Sequence, residues 1–183
     1  MRRISVLAAV VVLFVLAGVV PAQAAQTGIR AADPSVIRVG SSTYVGVQSY
    51  DGGIGVRTAT SPDALASSAV SKVWSDTAGF GEVWAPEVVY DGGRYYIYFA
   101  AGTGAAHRMY VISSTAATSG YTAATKLNLP DDKWAIDGIL VTFNSQRWFV
   151  WSGWAGDTNV EQNLYIARMS SPTTATGARY AIA

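Results

Sequence analysis

Beyond residue 30, short apolar runs alternate with small clusters of Gly, Asp, Asn and Ser. Long runs with the 3.6-residue helical period are missing. The apolar runs are rich in Val, Ile, Tyr, Trp and Thr, the composition of half-buried strands bounded by turns. Three segments share one layout. The first reads Asp33-Pro34-Ser35-Val36-Ile37, a turn at Gly40-Ser41, then Thr43-Tyr44-Val45. The second reads Ala85-Pro86-Glu87-Val88-Val89, then Asp91-Gly92-Gly93, then Tyr95-Tyr96-Ile97. The third reads Asp137-Gly138-Ile139-Leu140-Val141, then Asn144-Ser145, then Arg147-Trp148-Phe149. From 33 to 85 to 137 the step is 52 residues each time, and the aromatics Tyr44, Tyr96 and Trp148 repeat with the same step.

Each unit goes on to a third strand, at Gly55-Val56-Arg57-Thr58, Met109-Tyr110-Val111-Ile112 and Leu164-Tyr165-Ile166-Ala167. A weaker fourth strand is expected near Lys72-Val73-Trp74, Lys126-Leu127 and Arg179-Tyr180-Ala181. Four antiparallel strands in roughly 50 residues make one blade of a β-propeller. A β-sandwich has strands but not this repeat. The expected fold is therefore all-β, with about three propeller blades starting near 33, 85 and 137. Propellers close with roughly four to eight blades. A fourth unit with the same step starts at 189, and the sequence reaches Ala183. The expectation is an incomplete propeller spanning 25–183, part of a longer protein. The alternative is a three-unit chain that closes by association through its open edges.

The amino terminus reads differently. Arg2 and Arg3 precede Val6 to Val20, 15 residues drawn from Ala, Val, Leu, Phe and Gly alone. Pro21 ends the run, and Ala22-Gln23-Ala24 offers the small-x-small cleavage pattern. This is the form of a secretion signal over 1–24. A permanent span needs roughly 18 or more apolar residues, so no membrane association is expected after cleavage. Removing 24 of 183 residues leaves 159 and takes Lys+Arg from 13 to 11 against 12 Asp+Glu, a charge of −1. Binding of nucleic acid through a basic surface is excluded on that balance. With no Cys, neither a disulfide framework nor a thiol nucleophile exists, and the single His rules out a His-cluster metal site. No cofactor is expected.

In a propeller the first strands of all blades line the central axis. Asp33 and Asp137 hold the same repeat position two blades apart, so the 52-residue step alone brings both carboxylates to that axis. Paired carboxyl groups across a scissile bond are what glycoside hydrolysis requires. Inverting enzymes set a base and an acid about 6.5–9.5 Å apart, with room for water between them.

The segments Ala32-Asp33-Pro34-Ser35-Val36, Trp84-Ala85-Pro86-Glu87-Val88-Val89-Tyr90 and Ala135-Ile136-Asp137-Gly138, in this order, resemble glycoside hydrolase family 43. The stretch from Glu82 to Ser171 looks closest to its exo-acting α-L-arabinofuranosidases, through His107-Arg108-Met109-Tyr110-Val111 and Asn159-Val160-Glu161-Gln162-Asn163-Leu164-Tyr165. The resemblance implies a five-bladed propeller acting on arabinose- and xylose-containing plant cell-wall polysaccharides or oligosaccharides. It implies that Asp33 is the general base and that Asp137 orients the general acid and raises its pKa. The family's acid is a Glu in a Glu-Gly-Pro setting at the start of the fourth blade. No such segment is found here, so the chain alone is expected to be inactive, or nearly so. Some family members hold a metal through a His of a later blade; no metal site carries over to this sequence.

Both aspartates could instead be turn residues. Trp84 is expected as a sugar-stacking platform, since pockets of this class want aromatic rings, with core packing as the alternative. Glu87 could face the pocket or pair with an Arg. His107, in the loop between the second and third strands of the second blade, is a candidate pocket residue against a structural role. Trp134 and Trp154 are read as loop residues flanking the pocket, with blade packing as the alternative. Tyr95, Tyr96, Tyr98, Trp148 and Trp151 are assigned to the core. Glu161 lies in a long loop away from any repeat start and is not taken as the acid. A rival to the hydrolase is a non-catalytic carbohydrate-binding propeller. A fructan hydrolase is disfavoured, because its first-blade carboxylate sits in an Asn-Asp-Pro-Asn-Gly setting.

Overall fold

The computed structural model of the protein describes residues 28–183, so the expected signal at 1–24 lies outside the described residues. Twelve strands form three four-stranded antiparallel sheets, each in simple chain order. The first blade holds β1 (Ser35–Val39), β2 (Thr43–Ser49), β3 (Gly53–Ala59) and β4 (Ser71–Ser75). The second holds β5 (Glu82–Asp91), β6 (Arg94–Gly102), β7 (Arg108–Ser114) and β8 (Thr125–Lys126). The third holds β9 (Ala135–Phe143), β10 (Gln146–Trp154), β11 (Gln162–Ser171) and β12 (Thr174–Ala181). These are the three expected blades. β12 begins five residues before the expected Arg179, and β8 is a two-residue stub.

The first hairpin turns explain why the repeat survives changes of sequence. Gly92 and Gly93 take φ of 55° and 83° between β5 and β6. Asn144 and Ser145 take 47° and 62° at the same place between β9 and β10. Two successive positive φ values match the right-handed twist of the flanking strands, which is why such turns favour Gly and Asn.

The blades pack face to face through two cores, and β6 serves both. Side chains along a strand point alternately to its two faces. Tyr95, Ile97, Phe99 and Ala101 pack toward the first blade, against Val45, Val47, Ile54 and Val56. Tyr98 and Ala100, between them, pack toward the third, against Leu140, Phe149, Trp151 and Tyr165. Polar ties add register. Tyr98 donates its hydroxyl hydrogen to the carbonyl of Pro172 (2.7 Å), and Arg147 pairs with Asp91 (2.9 Å). Burial pushes the Tyr98 phenol pKa upward, aided by Tyr96. Of the aromatics assigned to the core, Tyr95, Tyr98 and Trp151 are buried. Tyr96 and Trp148 are half-buried, and Trp148 lies under the Arg168 guanidinium at 5.5 Å.

Among the first strands, β5 lies beside both β1 and β9, as the propeller layout requires. Their starts therefore converge, and this is where the candidate site lies.

Candidate active site

Residues 33, 85 and 137 share more than their place in the repeat. All three adopt left-handed backbone, with φ of 46° at Asp33, 41° at Ala85 and 54° at Asp137. Asp and Asn enter this region several-fold more readily than other non-glycine residues. Alanine does not, and the left-handed region costs an L-residue roughly 1–2 kcal/mol. In β5 and β9 the distortion is a bulge. Trp84 pairs with Ala100 and Glu87 with Tyr98, so three steps on β5 match two on β6. Ile136 pairs with Ser152 and Ile139 with Val150 in the same way. In a regular strand Trp84 and Glu87 would point to opposite faces. The extra residue resets the alternation, and both line one cleft with Ala32, Asp33, Ala85, Ile136 and Asp137. The cleft is open and about 490 Å³ in volume.

Gly138, next to Asp137, has its own reason. A Cβ there would lie 2.5 Å from Cζ of Phe149, a fully buried ring. The missing side chain lets β9 press onto the core while Asp137 turns outward into the cleft.

The two carboxylates sense each other. Burial raises the Asp137 pKa above the usual carboxylate value, and the charge of Asp33 raises it further. Both residues keep solvent contact at the mouth of the cleft. Glu87 is half-buried and lines the same space, which fits the pocket-facing reading over the Arg-paired one. Trp84 is 40% exposed.

The remaining three expected residues form a layer behind Trp84 and do not line the cleft. His107 is wholly buried and stacks on Trp84, ring centroids 4.0 Å apart and planes 26° from parallel. Its Nδ1 lies 2.9 Å from the carbonyl oxygen of Gly104. That oxygen also accepts from Nε1 of Trp134 (3.0 Å). Trp134 precedes β9, as expected of a loop residue, and stacks on Trp154 at 5.0 Å. Trp154 is not in a loop: it is the last residue of β10 and only 8% exposed. The apolar run Trp148–Trp154 extends the strand past the point where Gly153 suggests a turn.

Sequence reasoning passed over Ala85 and Ile136 as cleft residues and Glu82 as a neighbour of His107. For Ala85 the signal was present, since it stands where the other two blades carry Asp. Glu82, the first residue of a β5 that starts earlier than expected, lies 3.6 Å from His107 Nε2.

Comparison with known proteins adds identity to this geometry. The family model "Glycosyl hydrolases family 43" matches residues 27–182. The chain is 30% identical over 160 residues to an extracellular exo-α-(1→5)-L-arabinofuranosidase of Streptomyces avermitilis, covering 81% of this chain and 33% of that protein. It is 30% identical over 166 residues to α-L-arabinofuranosidase 43 of Humicola insolens, covering 84% and 34% respectively. Among solved structures, an α-L-arabinofuranosidase from Lactobacillus brevis superposes with a TM-score of 0.73 at 25% identity, over 83% of this chain and 53% of that one. Its structural relatives are five-bladed β-propellers, of which the three blades here are a part. The chain spans about a third of the length of the curated relatives it matches. With the blade-start aspartates, the Trp-Ala-Pro-Glu segment and a family match over nearly the whole described length, the chain belongs to glycosyl hydrolase family 43.

Proposed function

We propose that these three blades are the amino-terminal part of a secreted, inverting glycosidase that releases α-L-arabinofuranose from arabinan or arabinoxylan. The observation that carries this reading is the single cleft shared by Asp33, Asp137 and Trp84 at successive blade starts. Asp33 is the base that takes a proton from the attacking water. Asp137 orients the acid and, by its negative charge, keeps that acid protonated near neutral pH. Trp84 is the platform on which the apolar face of the sugar stacks, and Glu87 borders the same space. The general acid comes from outside the three blades, so this stretch alone binds sugar without turning it over. The printed names of the Streptomyces and Humicola relatives support arabinofuranose as the sugar, and the first of them, with the apolar run at 6–20, supports export.

The test starts from the coding sequence read past codon 183. The longer product is assayed for arabinose release from linear 1,5-arabinan and from arabinoxylan, alone and as Asp33→Asn. Release that falls by about 10²–10⁴ in the variant agrees with loss of a base. No release from either polymer, or release indifferent to Asp33→Asn, sinks the proposal. Saturable sugar binding without turnover, unchanged in Asp33→Asn, selects the carbohydrate-binding propeller instead.

A further inference from the structure

A second recess lies at the outer rim, where the first and second blades meet, and shares no lining residue with the cleft. Its volume is about 400 Å³, within the range of roughly 300–1,000 Å³ that small-ligand sites occupy. One wall is the end of β4 with the link to β5, and carries Trp74, Ser75, Thr77 and Phe80. The other wall is the segment ahead of β8, with Tyr121 and Thr122.

The rings of this groove are held from behind. Adjacent residues of a regular strand point to opposite faces. In β4, Lys72 pairs with Gly55 and Trp74 with Ile54, so Val73 is an extra residue in the ladder. Through this bulge Val73 and Trp74, neighbours in sequence, both pack on the core between the blades and both line the groove. Trp74 leans on the buried Phe99, ring centroids 4.8 Å apart, and Phe80 stacks on Tyr110 at 4.5 Å. The Trp74 and Phe80 planes lie within 13° of each other. Asp76 fixes the link between them, accepting from the backbone N–H of Phe80 (3.0 Å) and of Gly81 (2.9 Å). Trp74 and Phe80 nevertheless stay half-buried. An aromatic wall held in this way has little freedom left to lose when a ligand stacks on it.

Charge narrows the class of ligand. No residue that lines the groove is charged. Among its neighbours, Asp76 is engaged as described, and Lys72 pairs with Asp51 at 3.0 Å. Polar capacity comes from hydroxyls. Ser75 and Thr77 are exposed, and Thr122 Oγ1 accepts from the Ser113 N–H (3.1 Å), which leaves its own hydrogen to donate. β4 is also an edge strand, so its outer side offers backbone donors and acceptors. Flat apolar surface edged by neutral hydroxyls matches a sugar ring, which has an apolar face and a rim of hydroxyls. It gives no anchor to a phosphate, a carboxylate or a basic peptide.

We propose that the rim groove is a second carbohydrate site, which holds a neutral stretch of polysaccharide apart from the cleft. The choice of arabinan or arabinoxylan as the polymer rests on the function proposed above.

The experiment follows the indole N–H signals of Trp74 and Trp84 by NMR while arabino-oligosaccharide, then arabinoxylo-oligosaccharide, is titrated into the full chain. The expected result is a saturable shift of Trp74 with a midpoint of its own, retained in Trp84→Ala. Ala78→Arg fills the groove from an exposed turn residue and is expected to fold normally. It should weaken the Trp74 response about tenfold or more, the scale of losing an aromatic anchor. In gels cast with either polymer it should also be retarded less than wild type, each measured against a gel without polymer. Trp74 signals that ignore both sugars, or that respond undiminished in Ala78→Arg, overturn the proposal whatever Trp84 does. Signals that move with protein concentration alone mark a contact between copies and overturn it too. If Trp74 responds and Trp84 does not, the groove stands and the reading of Trp84 as the sugar platform falls.

Discussion

Asp33 and Asp137 occupy one step of two blades 104 residues apart in sequence, share left-handed backbone at φ 46° and 54°, and open into the same cleft. Burial comes first in raising the Asp137 pKa, and Asp33 adds to it. A merely structural pair of turn residues has no reason to meet in this way. Here the two charges are set against each other.

Removing the Asp33 charge takes away one of two causes, so Asp33→Asn lowers the Asp137 pKa part of the way to the ordinary value. Carboxyl-carbon NMR of Asp137 in wild type and variant reads this directly. An unchanged or higher Asp137 titration in the variant contradicts the coupling.

The same shift has a consequence for stability. A carboxyl whose pKa is raised on folding favours the native state below its unfolded pKa, and that contribution is lost as pH rises through the folded value. Asp137→Asn therefore leaves stability unchanged in acid and raises it near pH 7. Urea unfolding at both pH values tests the sign. Asp132 behaves oppositely: partial burial pushes its carboxyl up, but hydrogen bonds and charge from Lys126 and Arg108 outweigh this and hold it down. Its contribution is present near neutrality and disappears as pH falls through that lowered value. Asp132→Asn costs less than about 1 kcal/mol near pH 7, because the pair is solvent-screened.

Ala85 is the strained member of the three blade starts. In an ordinary strand, Ala→Gly loses about 0.5–1 kcal/mol through the freedom of the unfolded chain. At φ 41° the glycine also relieves the left-handed penalty. Ala85→Gly should thus be neutral or stabilising by up to about 1 kcal/mol. Ala85→Val should lose at least about 2 kcal/mol, since β-branched residues are outliers there. Chemical denaturation separates the two, and a clearly destabilised Ala85→Gly would argue against strain at this site.

Gly138→Ala sets a Cβ 2.5 Å from the Phe149 ring, which cannot retreat because it is itself fully buried between blades. The expected loss is about 1–3 kcal/mol, the usual cost of overpacking. Phe149→Ala removes the ring and leaves a cavity, at about 3–5 kcal/mol. In the double variant the two losses should add to less than their sum, because the clash goes with the ring. Full additivity in urea unfolding would place the Gly138 effect elsewhere.

Trp84→Ala removes a ring that borders the cleft and stacks on His107. Affinity for arabino-oligosaccharide should fall about tenfold or more, the scale of a buried aromatic anchor. Calorimetry on the folded variant reads it. Equal affinity in the variant would move the sugar away from this cleft.

The repeat, the three blades and the convergence of Asp33 and Asp137 were legible in the sequence. Strand alternation and hairpin turns are local, and a 52-residue step carries any blade-start residue to the axis whatever the details. Trp84 was legible for the same reason, from its place beside Ala85-Pro86. The layer behind the cleft was not. Whether His107, Trp134 and Trp154 face the cleft or each other depends on how closely backbones approach, and the bare Cα of Gly102 lets His107 slip beneath Trp84. The bulges that turn Trp84 and Glu87 into one space are likewise a matter of pairing between β5 and β6, where two residues of one strand face one of the other. Sequence by itself decided which residues reach the axis, because that follows from periodic local structure. Tertiary packing decided which of them line the cleft and which lie behind it, because burial is a property of neighbours distant in the chain.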